Sequence, residues 1–116
     1  MVVKRIVANI ATQNVAELAD FYRNIFGLEP VMDQGWIATL ASGVDAPVQI
    51  SMASQGGSGT LVPAISIEVD DIDAAHTRAT SLNCDIPYPL TQEPWGVRRF
   101  YIRDPAGTLI NVLAHS

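Results

Sequence analysis

Trp95-Gly96-Val97-Arg98-Arg99-Phe100-Tyr101-Ile102-Arg103-Asp104-Pro105-Ala106-Gly107-Thr108-Leu109-Ile110-Asn111-Val112-Leu113 is the stretch from which the fold is read. Two runs rich in aromatic and β-branched residues flank Asp104-Pro105-Ala106-Gly107. Proline presets a negative φ and glycine accepts a positive one, so the chain reverses there between two strands, Val97 to Arg103 and Thr108 to Ala114.

Upstream of this hairpin, Ala64 to Val69 reads as a strand, Asp71 as a helix cap, and Ile72, Ala75, Ala79 and Leu82 as one helical face. The beginning of the chain has the same grammar. Val2 to Ala11 is a β-branched strand, Asn14 with Glu17 forms a capping-box-like start, and Val15, Leu18, Ala19, Tyr22, Ile25 and Phe26 mark a helical face that Gly27 stops. A shift of 57 residues superposes Val7 on Ala64, Asn14 on Asp71, Val15 on Ile72, Leu18 on Ala75 and Tyr22 on Ala79. That is the signature of an internal duplication.

Short apolar runs complete each copy. Glu29 to Gln34, Trp36 to Ala41 and Val48 to Ser54 are divided by Gly35 and by the turn-rich 42–47 segment. Cys84 to Tyr88 joins the terminal hairpin in the second copy, and Pro87, Pro89 and Pro94 confine the region between Tyr88 and Val97 to an edge or a loop. Each copy is therefore a βαβββ unit, the first over about 1–55 and the second over about 63–116. Between them a Gly/Ser linker is expected over about 56–62, since Ser54 to Thr60 is flexible by composition, and a phosphate-cradling loop is disfavoured because no Gly-Lys-Ser/Thr comes after it.

Composition narrows the function classes. The 116 residues carry a net charge of −5, with 48% hydrophobic and only 16% charged residues. Without clustered Lys and Arg there is no footprint for nucleic acid or an anionic membrane. The apolar surplus points to surface covered in a homodimer, or simply to a well-filled core. One cysteine, Cys84, leaves no internal disulfide or cysteine-cluster metal site, and it reads as a small apolar residue because no base accompanies it. The opening apolar run is short, interrupted by Lys4, Arg5 and Asn9, and lacks a cleavage pattern; it is read as a first strand in a cytoplasmic protein.

Pro94-Trp95-Gly96, Arg98 and Arg99, the aromatic strand, Asp104-Pro105-Ala106-Gly107 and the final apolar strand together resemble the C-terminal signature of the vicinal oxygen chelate superfamily, which holds glyoxalases, bleomycin-resistance proteins and extradiol dioxygenases. The resemblance implies an α+β fold in which two tandem βαβββ modules form a cupped, mostly antiparallel sheet. It also implies a binding or active site inside the cup, lined by alternate strand residues: Val7, Asn9, Ala11, Gln49, Ser51, Ala64, Ser66, Glu68, Arg99, Tyr101, Asn111 and Leu113. Trp36 and Trp95 are expected near the rim.

Metal-dependent members of that superfamily hold a divalent ion with His, Gln or Glu from the first and last strand of each module. Carried over to this chain, those positions are Val7, Ser51 (or Gln49 in a slipped register), Ala64 and Asn111. Val and Ala offer no lone pair, and Ser and Asn are weak neutral ligands, so neither a metal nor another cofactor is expected. His76 is expected on the second helix outside the cup, facing solvent or an interface, and His115 at a frayed end.

The resemblance and these residues together imply a metal-free small-molecule binder that sequesters an aromatic or amide-bearing compound such as an antibiotic. Trp36, Trp95 and Tyr101 would supply ring faces, and Gln49, Ser51, Arg99, Asn111 and Leu113 the remaining contacts. Four of these have a plainer account: Arg99 in a salt bridge with Glu68, Tyr101 as packing, and Trp36 and Trp95 at a dimer interface. The enzyme alternative is a lyase, isomerase or dioxygenase with an atypical site, for which Glu68 is the weak candidate for a catalytic base. Asp104 belongs to the turn.

Overall fold

The computed structural model describes residues 1–42 and 49–116. Among them the class is α+β, with the elements β1 (Val3–Ala11), α1 (Val15–Phe26), β2 (Glu29–Asp33), β3 (Ile37–Ala41), β4 (Gln49–Ala53), β5 (Ile65–Val69), α2 (Ile72–Ser81), β6 (Asp85–Gln92), β7 (Val97–Arg103) and β8 (Leu109–His115). This is the expected βαβββ order, twice over. The expected turn beyond Ser42, and Val48 at the start of the expected fourth strand, lie outside the described residues. The chain divides into two compact units: Val7–Val62, and Met1–Ile6 together with Pro63–Ser116. The first residues of β1 thus go with the second unit.

In the Val7–Val62 unit the strand order is β2-β3-β4-β1, antiparallel except for the parallel β1–β4 pair. Helix α1 begins because Asn14 Oδ1 accepts the Glu17 amide at 3.2 Å while its Nδ2 donates to Glu17 Oε2, which satisfies a first-turn donor. It ends at Gly27, whose φ of 67° is the left-handed cap that other residues adopt only with strain. Val15 and Ala19, flanked by Leu18 and Tyr22, close over Ala38, Leu40 and Met52. Leu40 and Met52 are fully buried, each contributing roughly 1.5–3 kcal/mol. Ile25 and Phe26, expected on the same face, are instead exposed, because the core beneath the helix ends at Tyr22 and resumes at Leu28. Phe26 stacks on Tyr22 at 5.8 Å.

The Gly/Ser-rich segment closes into a hydrogen-bonded loop inside this unit. The Gly56 amide donates to Thr60 O at 2.8 Å, Thr60 N returns to Gly57 O, and Gly59 N donates to Gln55 Oε1.

In the other unit the order is β1-β5-β8-β7-β6, with β5 and β8 parallel. Asp71 Oδ1 caps α2 through the Ala74 amide. Ile72, Ala75 and Ala79 pack on Val69, Phe100, Ile110 and Val112, with Cys84 at the margin in the small apolar role expected of it. Leu82 is 70% exposed rather than on the buried face, since the helix has already ended at Ser81 and Leu82 is its C-cap. Nor is His76 solvent-facing: it is half-buried, edge-on to Phe100 at 5.0 Å. Strand β6 runs four residues past the expected end at Tyr88. Its prolines are tolerated because β6 is an edge, and the register shifts on either side of Tyr88. The β7–β8 turn forms as its residues dictate: Asp104 Oδ1 accepts the amides of Ala106 and Thr108, each at 2.9 Å, and Gly107 takes φ 84°.

Candidate functional site

A helix covers one face of each unit, and side chains alternate along a strand, so the residues left for the other face are set by register. In the first unit Asn9 pairs with Ser51, and Ser51 with Thr39. In the second, Ser66 pairs with Asn111, Asn111 with Tyr101, and Tyr101 with Tyr88. Duplication makes these equivalent rows: each unit carries one line of uncharged polar side chains at the same level of its sheet. Thr39 and Ser51 share a 2.6 Å hydrogen bond, and Asn111 Nδ2 donates to Ser66 Oγ at 3.1 Å.

Next to the second row lies a cluster built on Arg99. Its Nε and Nη2 both reach Glu93 Oε2 at 2.7 Å, and its Nη1 donates to the Tyr101 hydroxyl at 3.0 Å. The Tyr88 hydroxyl donates to the same Glu93 oxygen at 3.1 Å. Three rings, Tyr88, Trp95 and Tyr101, lie 5.0–5.1 Å from the guanidinium carbon, within cation–π range. The hairpin turn delivers Glu93: its amide donates to Val97 O, and Gly96 N returns to Glu93 O with Gly96 at φ 87°. The Glu93 and Arg99 side chains are each 3% exposed. Arg99 therefore pairs with Glu93, not with Glu68.

Glu68 has other partners. Arg5 Nε donates to Oε1 at 2.5 Å, and His115 Nδ1 lies 2.8 Å from Oε2. Burial pushes the Glu68 carboxyl up, but the hydrogen bonds from His115 and Arg5, together with their charges, outweigh it and hold the group below its ordinary value. Such a carboxylate is a poor proton acceptor. His115 is the last residue of β8 and is anchored by this contact, not frayed.

The donor set at the four positions carried over from the metal-dependent pattern does not fit a first-row divalent ion. Val7 and Ala64 have no ligating atom, and register places Asn9 and Ser66, not those two, beside Ser51 and Asn111. The Ser51 hydroxyl is committed to Thr39. Among the described residues no three His, Cys, Asp or Glu side chains come together as a ligand group. Asn111 Oδ1 is buried with no hydrogen-bond partner.

Of the residues singled out in the sequence, Trp95, Arg99 and Tyr101 are brought together, with Asn111 in register beside Tyr101 and Leu113 beside Arg99. Trp36, Gln49 and Ser51 belong to the other unit. There Trp36 is half-buried just before β3, and its carbonyl accepts the Ser54 amide at 3.0 Å. Sequence reasoning missed Glu93, Tyr88 and Thr39. A signal for Glu93 was present: an acidic residue six positions before Arg99, in the turn that joins two apolar strands.

The family model of the Glyoxalase/Bleomycin resistance protein/Dioxygenase superfamily matches residues 4–112. No curated protein matches the chain. Among solved structures, it is similar to one described as the NAD-dependent benzaldehyde dehydrogenase from Legionella pneumophila, with a TM-score of 0.78 and 18% identity over 97% of this chain and 100% of that one. It is also similar to a glyoxalase/bleomycin resistance protein/dioxygenase superfamily member from Vibrio splendidus, at TM-score 0.70 and 17% identity over 97% and 99% of the two chains. Streptomyces coelicolor methylmalonyl-CoA epimerase aligns at TM-score 0.70 and 16% identity over 99% and 96%. At these identities the likeness is one of fold.

Proposed function

Because the chain belongs to the Glyoxalase/Bleomycin resistance protein/Dioxygenase superfamily, we propose that it is a small-molecule-binding protein, working without a metal ion, that sequesters an aromatic or amide-bearing compound such as an antibiotic. The observation that carries this reading is the set of three rings held around Arg99 on the same sheet face as the Asn111 amide. Rings fixed in place bind planar ligands with little loss of side-chain entropy, and a nearby amide sets orientation. In this reading Trp95, Tyr101, Asn111 and Leu113 contact the ligand. Arg99 keeps the rings in position.

The enzyme alternative, a lyase, isomerase or dioxygenase, gains no support from Glu68, whose carboxylate is tied to Arg5 and His115. The proposal includes a homodimer, because Phe21, Ile25 and Phe26 leave an exposed apolar surface on α1. Among the described residues no helix is long and apolar enough to cross a membrane.

Tryptophan fluorescence, titrated with a panel of aromatic and glycopeptide antibiotics, tests the reading. Saturable quenching is expected for at least one compound. Silence across the panel, with turnover of an α-oxoaldehyde or a catechol, would replace the binder with the enzyme.

A further inference from the structure

The sheet face bearing Asn111 has an electrical character that narrows the ligand beyond its shape. Two of its cations come already matched to carboxylates. Arg99 is paired with Glu93, and Arg5 with Glu68, to which His115 also binds. Arg103, at the hairpin end of β7, turns its guanidinium to the Gly107 carbonyl. The Arg5 and Arg99 guanidiniums, each neutralised by a carboxylate, have no surplus charge for a ligand carboxylate or phosphate, and an anion placed beside them would be desolvated with little compensation. The row itself, Ser66–Asn111–Tyr101, is neutral.

Among the described residues of that row, one buried oxygen lacks a hydrogen-bond partner. Asn111 is 8% exposed, its Nδ2 is used on Ser66 Oγ, and its Oδ1 has no partner. A buried acceptor without a donor is destabilising, and the cost is removed by any group that brings an N–H or O–H to it. A ligand acceptor or anion would only add a second lone pair.

We propose that the ligand is an uncharged aromatic compound carrying an N–H donor, an aromatic carboxamide in the simplest case, whose donor is received by Asn111 Oδ1. This rests on the binding reading above and adds polarity and charge to it. The oxygen is enclosed, so the proposal requires the surrounding side chains to move to admit the donor, and it makes Arg99 a brace for the rings, not an anion hook.

Three matched probes test this: naphthamide, N,N-dimethylnaphthamide and naphthoate, titrated by calorimetry and by tryptophan fluorescence. Naphthamide should bind roughly tenfold more tightly than its dimethyl derivative, the factor one hydrogen bond supplies. Naphthoate should be the weakest of the three. In Asn111→Leu the two amides should become equal; should that variant fail to fold, the wild-type order alone decides. Naphthoate binding as tightly as naphthamide, or no difference between the amides in the wild type, overturns this inference and leaves the binding reading standing. Absence of binding by all three probes overturns the inference, and if the antibiotic panel is silent too, the binding reading falls with it.

Discussion

Arg99 places two of its nitrogens 2.7 Å from a single oxygen of Glu93, and both side chains are almost wholly withdrawn from solvent. A buried pair of this kind contributes little relative to an apolar pair of the same volume, yet it is costly to halve. Removing the carboxylate strands a guanidinium among three rings, where desolvation is uncompensated.

Glu93→Ala should therefore destabilise the fold by about 3–5 kcal/mol. The double variant Glu93→Leu with Arg99→Met should recover most of that loss. Urea unfolding midpoints check both, and equal instability of the single and double variants would show that the charge pair is not the cause.

Acid sensitivity should trace in part to Glu68. Its folded-state pKa lies below its ordinary value, so the folded state binds a proton less readily than the unfolded chain. The resulting stabilisation is present above the ordinary glutamate value and disappears as pH falls through the lower, folded value. Unfolding midpoints of the wild type and Glu68→Gln, measured from neutral to strongly acid pH, should converge at the acid end. Parallel curves throughout would remove Glu68 from the account.

Phe100 is 1% exposed and central to the second unit's core, with His76 against its edge. Phe100→Ala should cost about 3–5 kcal/mol. A loss below about 1 kcal/mol, read by thermal or urea unfolding, would mean that this packing is wrong.

Gly27 closes α1 at positive φ with open space around its missing Cβ. Gly27→Ala should cost about 1–2 kcal/mol through backbone strain alone. Because no clash is involved, Gly27→Asn should recover part of the loss, a ranking that unfolding midpoints resolve directly.

Much of the fold was legible because caps and periods are local. Asn14, Asp71, Gly27 and Asp104 each act on amides or dihedrals within a few residues, so sequence spacing alone specifies them. Leu82, Ile25 and Phe26 misled because periodicity shows which residues share a face but not where the underlying sheet stops. The site was legible in part. Alternation put Arg99, Tyr101 and Asn111 on one face, but the partner of Arg99 depends on how the Gln92-to-Gly96 turn folds back, which no strand pattern contains. Glu93 hid in a loop, and Glu68, on the correct face, was given the wrong partner.

The opening strand has a temporal consequence. Val2 donates to Asp70 and Arg5 to Glu68 across separations of 68 and 63 residues, both inside the unit that otherwise begins at Pro63. Met1–Ile6 can complete these contacts only once β5 is in place, whereas Val7–Val62 forms a compact unit of its own. Refolding should accordingly show a late phase that shortening those two contacts, by circular permutation, would accelerate.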